Sequence, residues 1–288
     1  MRKIYDAFLF FNELELLEMR MNILDDVVDY FVIVESTKTF SSNSKDLIFF
    51  KNRKKFDKFQ KKIIHITIDD TPSDFLEIKY IDSPKTEEEV LKNKILRYVD
   101  ESPGWERRET QWGVETFQRE SIIRGLVNCN DEDIILVSDV DEIPNPSEIF
   151  RLRESSVEDV FNFSQNMYYY YLNVLKEKNW SGSKACSWGM LKNISLNSLR
   201  QNKHTTSTIH NGGWHFSFIG GESRVIEKLE AYAHQEYNTP YYKENVKNNM
   251  ESNMDPFFRG GLQTVSIDSS YPKYITENLD KFESMIKK

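Results

Sequence analysis

Cysteine is almost missing from this chain, with two, Cys129 and Cys186, in 288 residues. That excludes a disulfide framework and a zinc cluster, and a reducing compartment is the simple expectation. Long apolar runs are missing too. The opening MRKIYDAFLFFNELELLEMR starts with charge, but Asn12 and Glu13 break its apolar run too soon for a signal peptide or a membrane span. The expectation is a soluble, cytoplasmic protein whose first residues are already its first strand. A surplus of positive charge is also lacking: the net charge of −8 and pI near 5.3 argue against a broad nucleic-acid footprint, while leaving local basic patches open. No internal repeat or low-complexity tract stands out. What is present is 39% hydrophobic and 13% aromatic residues, which fits a globular chain rather than a disordered one. The 14 Tyr and 5 Trp suit either aromatic core packing or a sugar-stacking surface, with packing the default.

The most informative stretch is residues 131–144, DEDIILVSDVDEIP. Ile134, Ile135, Leu136 and Val137 form the short apolar run of a strand covered on both faces, and Pro144, with no N–H, ends the ladder. Asp139 and Asp141 lie two apart, so in an extended backbone both leave the same face, with Val140 and Glu142 on the other. Paired carboxylates at the carboxyl end of a strand make a seat for a hard divalent cation, Mn²⁺ or Mg²⁺, with positions left open for substrate phosphate. A bare D-x-D is more often a solvated acidic turn. The apolar strand before it and the proline behind it favour the site.

The flanking sequence supplies an α/β frame. Ile4 to Phe11 reads as a strand, Glu13 to Leu24 as a helix with Asn12 as its N-cap, and Tyr30 to Glu35 as a second strand. That is the size of a βαβ unit and predicts a parallel pair, with the polar run from Glu35 to Ser41 at a strand end where ligands bind. Lys51 to Lys62 is a basic helix with Phe56 and Phe59 buried, and Ile63 to Ile68 is a third strand in which His65 reads as structural. Asp69 to Gly104, punctuated by Pro72, Pro84 and Pro103, reads as an excursion over the active-site side with one helix around Glu87 to Val99. Helices are predicted for Trp112 to Leu126 and Ser147 to Arg153, and a strand within Val160 to Val174. Arg119 suits either a phosphate or ribose contact or an ordinary surface position.

A second constellation is GGWHFSFIGG, residues 212–221. Trp214, Phe216 and Phe218 alternate with His215, so a strand bracketed by glycine turns holds the imidazole away from the large rings. His215 is a candidate third metal ligand beside Asp139 or Asp141. Helices follow over Glu222 to Tyr237 and Tyr241 to Met250.

Taken in order, DAFLFFNELELLEMRMNIL, VDYFVIVESTKTFS, the Trp112, Glu115, Gln118, Arg119 helix, ILVSDVDEIP, GGWHFSFIGG and AHQEYN resemble glycosyltransferase family 17, whose best-known members are β-1,4-mannosyl-glycoprotein β-1,4-N-acetylglucosaminyltransferases. The resemblance implies an α/β fold of GT-A type, a mixed central sheet with a Rossmann-like nucleotide-binding half. One catalytic domain is expected over 1–288: a nucleotide-sugar half at 1–144, an acceptor and metal-completing half at 145–262, and a tail at 263–288. It further implies a UDP-sugar donor, most simply UDP-N-acetylglucosamine, a glycan acceptor, and inversion at the anomeric carbon. Phe11, Asn12 and Glu35 fall where the uridine would sit, with Gln118, Arg119 and Asp139 as further donor contacts; Asp139, Asp141 and His215 are the metal candidates. Spacing leaves the general base open among Glu142, Glu222, Glu236 and Asp255. The animal enzymes carry an N-terminal membrane segment, whereas this chain starts at its first strand, which points towards bacterial or viral polymer building. Competing readings are a haloacid-dehalogenase-like phosphohydrolase, from the D-x-D alone, and a non-catalytic carbohydrate-binding protein built on the Tyr168 to Tyr171 run.

Overall fold

The computed structural model describes residues 2–102, 105–106, 108–155, 157–201 and 204–288; Pro103 and Gly104, the end of the excursion read from sequence, lie outside them. Strand β1 (Ile4–Phe10) leads through helix α1 (Leu14–Leu24) to β2 (Tyr30–Ser36). Helix α2 (Ile48–Asn52) and a 3-10 helix over Arg53–Lys62 carry the chain to β3 (Ile63–Ile68), and α3 (Glu87–Glu101) and α4 (Thr110–Glu120) precede β4 (Ile134–Asp139). The remainder runs β5 (Glu142–Pro144), α5 (Pro146–Glu154), β6 (Phe161–Tyr169), β7 (Val174–Ser187), α6 (Trp188–Leu191), α7 (Leu196–Arg200), β8 (Ser207–Ser217), α8 (Glu222–Ala231), α9 (Pro240–Glu251), β9 (Gln263–Thr264) and α10 (Lys273–Thr276).

Among the described residues nine strands form one mixed sheet in the order β3-β2-β1-β4-β7-β6-β8-β5, with β9 paired to β7. The first four neighbours are all parallel, as the βαβ pattern predicts. From there the sheet changes character: β7 is antiparallel to β4 and β6, β6 runs parallel to β8, and β5 is antiparallel to β8. Strand alternation sorts the side chains into two layers. Ile4, Phe8, Ile134 and Leu136 face α1, where Leu16, Leu17 and Leu24 meet them. Tyr5, Ala7, Leu9, Ile135 and Val137 face the other way, against Ile95 and Val99 of α3 and Val114 and Phe117 of α4.

Several element limits differ from the sequence reading. The residue before α1 is Glu13 rather than Asn12, and the Glu13 carboxylate folds back to accept the backbone N–H groups of Phe11 and Asn12. Helix α8 stops at Ala231 instead of Tyr237, because Tyr232 turns extended and Ser41 donates to the carbonyls of Glu230 and Ala231. Within the excursion after β3, α3 packs against α4 and buries Ile95, Leu96 and Val99 between them and the sheet. Among the described residues, no helix is long and apolar enough to cross a membrane.

Candidate active site

The carboxyl ends of β1, β2 and β4 open onto a cavity of about 420 Å³, where Phe11, Ser36, Lys38 and Asp139 line the wall. In an open α/β sheet this is where ligands are held. The opposite wall is one face of the mixed part of the sheet, beyond β4. Met167 and Tyr169 of β6 and His215 and Ser217 of β8 point into the cavity, while their alternating neighbours Tyr168, Trp214 and Phe216 enter the core. Phe218, beyond the end of β8, has φ +59, and its ring joins the cavity wall instead of continuing the core row.

The acidic stretch is not extended throughout. Strand β4 ends at Asp139, Val140 and Asp141 form a turn, and β5 begins at Glu142. Up to Asp139 the alternation holds: its side chain follows Ile135 and Val137 towards α4, where Arg119 Nη1 donates to Oδ1 at 2.8 Å. Arg200 Nη2 approaches its other oxygen at 3.4 Å. Beyond the turn the expected side-chain directions fail. Glu142 was expected to point away; instead β5 pairs with β8 so that Glu142 lies directly opposite His215, and cross-strand partners project to the same side. Asp141, Glu142 and His215 thereby offer ligand atoms all within 4.8 Å of one another. Asp139, expected beside Asp141, is outside that group.

A buried arginine shapes the turn. Arg20 sits in the apolar stripe of α1, fully buried, and grips Asp6 of β1 with Nε at 2.8 Å and Nη2 at 2.5 Å. Its Nη1 donates to the carbonyls of Asp139 (3.1 Å) and Glu142 (2.6 Å), on either side of the turn. Buried carbonyls need donors, and one guanidinium fork supplies several.

The charges around the cluster are closely matched. Lys228 of α8 donates to Asp141 Oδ2 at 2.7 Å, and His215 Nε2 lies 3.4 Å from Oδ1. Burial by itself would raise the Asp141 carboxyl, but the Lys228 ammonium and His215 outweigh it and hold Asp141 well below the usual carboxylate range. Asp139 is lowered in the same way: burial opposes, and Arg119 and Arg200 prevail. Glu142 moves the other way. Burial and repulsion from Asp139 push it up, against the opposing two-pronged contact with Arg200 at 2.5 and 2.9 Å. Arg200 is itself positioned from a distance, because buried Glu120 at the end of α4 accepts Ser195 Oγ and the N–H groups of Leu196 and Asn197, fixing the first turn of α7.

Of the residues singled out from sequence, Phe11, Gln118, Asp139, Asp141, Glu142 and His215 line the cavity. Gln118 donates to the Lys38 carbonyl and so ties α4 to the loop after β2. Arg119 lies behind Asp139, paired also with Glu115. Asn12 is buried outside the lining. Glu35 is turned into the core, where its carboxylate accepts the N–H groups of Phe49 and Phe50 at the start of α2, while its neighbour Ser36 reaches the cavity. Glu222, at the start of α8, is exposed and outside the lining. Asp255 is fully buried and spent on Arg259, Lys176 and the Phe257 N–H, so it holds a loop rather than facing the cavity. Sequence reasoning missed Arg20, Lys45, Arg200, Lys228 and Arg259. For Arg20 there was a signal: a lone charge centred in an apolar helical stripe, with an equally lone Asp6 in the preceding strand, asks for a buried pair. Arg200, in an undistinguished run, gave none.

The carboxylates of Asp141 and Glu142 suit Mn²⁺ or Mg²⁺, and with the imidazole nitrogen of His215 as a third donor within 4.8 Å the set fits Mn²⁺ better than the oxygen-seeking Mg²⁺. Turning to known proteins, the family model described as Glycosyltransferase family 17 matches residues 1–90 and 77–250. No curated protein matches the chain. Among solved structures, 4-diphosphocytidyl-2C-methyl-D-erythritol synthase from Anaerococcus prevotii is similar, at 11% identity over 82% of this chain and 99% of that one, with a TM-score of 0.37.

Proposed function

The chain belongs to glycosyltransferase family 17, and from that premise we propose that it is a GT-A type, cation-dependent, inverting transferase that moves a sugar from a UDP-sugar to a glycan hydroxyl. UDP-N-acetylglucosamine is the donor to try first. The observation that carries this reading is the convergence of Asp141, Glu142 and His215 in a cavity fed by the ends of β1, β2 and β4. In this reading the part of the chain up to residue 144, with its parallel strands β1 to β4, binds the nucleotide, and the mixed remainder of the sheet completes the cation seat and receives the acceptor. The phosphohydrolase and sugar-binding alternatives rested on the D-x-D or the tyrosines alone, and family membership removes their basis.

Charge supports the cation. The cavity is lined by the carboxylates of Glu13, Glu115, Asp139, Asp141 and Glu142 and the bases Lys38, Lys45, Arg200, Lys228 and Arg259. Those charges balance, so a nucleoside diphosphate entering brings negative charge without a counterpart. A divalent ion held by Asp141 and His215 would act as a Lewis acid on the leaving diphosphate, with Glu142 beside it left for proton transfer. Asp139 is held by Arg119 and Arg200 and would accept from the ribose hydroxyls. The acceptor hydroxyl oxygen bonds to the anomeric carbon as the bond to the diphosphate oxygen breaks, its proton passes to a base, and UDP leaves with the bonding pair. Of the base candidates Glu142, Glu222, Glu236 and Asp255, Glu142 lines the cavity and the others do not, and its upward shift suits proton transfer nearer neutrality.

A second reading has its own observation. Lys228 already places an ammonium 2.7 Å from Asp141, where it would neutralise a leaving diphosphate without an added ion. The test is UDP release from a panel of UDP-sugars with Mn²⁺ or with chelator, for wild type and Asp141→Asn, together with the anomeric configuration of any product by NMR. Turnover that needs Mn²⁺, gives the inverted anomer and collapses in Asp141→Asn supports the proposal. Equal turnover in chelator favours Lys228, and no turnover of any UDP-sugar counts against the donor class.

A further inference from the structure

The cavity's charged region continues, past the Arg259 guanidinium 4.5 Å over the Phe257 ring, into a strip of aromatic side chains. Tyr237 and Phe257 line the cavity with ring centroids 4.1 Å apart. Phe257 meets Tyr242 at 6.1 Å, and Phe258 stands 6.2 Å from Tyr242 and 5.3 Å from Tyr241. The strip ends at the surface: Tyr241 is 59% exposed and Phe258 39%.

The loop carrying Phe258 is built to hold that ring out. Asp255, fully buried, accepts the N–H of Phe257 at 2.7 Å and Arg259 Nε at 3.1 Å, while its carbonyl accepts the Phe258 N–H at 2.9 Å. This turn sends Phe257 and Arg259 into the cavity and leaves Phe258 on the rim at φ +58. A bulky side chain with left-handed backbone is an outlier, and the Phe258 ring, set against Tyr241 and Tyr242, still keeps 39% of its surface open on the rim. Strain of this kind, retained by a fully bonded turn, points to use of the ring.

We propose that Tyr241, Tyr242 and Phe258 form an acceptor subsite that stacks pyranose rings of a neutral oligosaccharide and leads its terminal hydroxyl to the cavity. The assignment rests on the transferase reading above and names the substrate class of the same site. A pyranose with equatorial substituents shows an apolar face of C–H groups that an aromatic ring covers, while its hydroxyl rim stays in water. The division of labour follows charge. The charged cavity suits the diphosphate, and the adjoining strip of neutral rings suits an uncharged sugar chain continuous with it.

The experiment is saturation-transfer NMR and titration with chitotetraose, whose rings are all equatorial, on wild type, the Tyr241→Ala/Phe258→Ala double variant, and Phe150→Ala, an exposed ring outside the cavity. UDP is titrated in parallel. Wild type and Phe150→Ala should bind chitotetraose alike, and the double variant, its fold checked by circular dichroism, should lose affinity roughly tenfold. Chitotetraose that fails to bind wild type, or binds the double variant equally well, overturns the subsite. So does a concentration-dependent dimer that the double variant dissolves without any sugar binding, which would make the strip a protein contact. Loss of UDP binding with chitotetraose binding retained would instead fault the donor reading and leave the sugar subsite standing.

Discussion

Arg20 bears the acidic turn, since it bonds Asp6 and the carbonyls at both ends of the turn from inside the core. Removing one member of a buried pair leaves the other charge uncompensated. Arg20→Met is therefore expected to cost about 3–5 kcal/mol in urea unfolding, and Asp6→Leu with Arg20→Met together less than that. A single variant within about 1 kcal/mol of wild type would remove Arg20 from this role. Arg200 acts on chemistry as well as on the fold. It opposes the upward shift that burial gives Glu142, so Arg200→Ala should raise Glu142 further and move the acid limb of kcat/KM to higher pH, because a base works only when deprotonated. An acid limb that stays in place in Arg200→Ala would take Glu142 out of the base role. Residue by residue, legibility was uneven. Asp139, Asp141 and His215 were visible because carboxylates beyond an apolar strand and an imidazole between glycines are local patterns. The direction of Glu142 was not, since alternation was counted through a turn that the chain does not cross extended.

Elements set the distances that those residues need. Strand β8 brings His215 opposite Glu142 only because its register with β5 is kept, and Gly213 guards that register: it has φ +132, and a Cβ there would lie 2.2 Å from the Ile143 carbonyl oxygen. Gly213→Ala should cost on the order of 1–3 kcal/mol from backbone strain, with the collision added, and should displace His215. Gly221→Ala, with φ +86 but nothing within 4 Å, carries the strain without the collision. Thermal unfolding of both variants checks the ranking, and Gly221→Ala proving the more damaging would contradict it. From sequence the first glycine pair looked like a turn. In the structure it lies inside β8, where absent side chains allow β6 and β5 to approach on either side. The first three strands and the helix α1 were legible to within a residue or so, because a buried strand and an amphipathic helix announce themselves locally.

The whole molecule joins a parallel half that delivers strand ends to a mixed half that delivers the opposite wall. The first half could be read from sequence, since βαβ units are local and right-handed. The second could not: β6 pairs with β8 across the intervening β7, and no local pattern reports a pairing between residues so far apart in the chain. For the same reason, Arg200 and Lys228 were invisible until α7 and α8 were seen beside the cavity. The account's central claim is that these two halves make one cation-dependent nucleotide site around Asp141. Its most direct test is calorimetric titration of UDP into wild type and Asp141→Asn, each with and without Mn²⁺. Wild type should bind UDP far more tightly with Mn²⁺ than without it, and Asp141→Asn should lose that gain; UDP binding that ignores both the ion and the substitution would contradict the account.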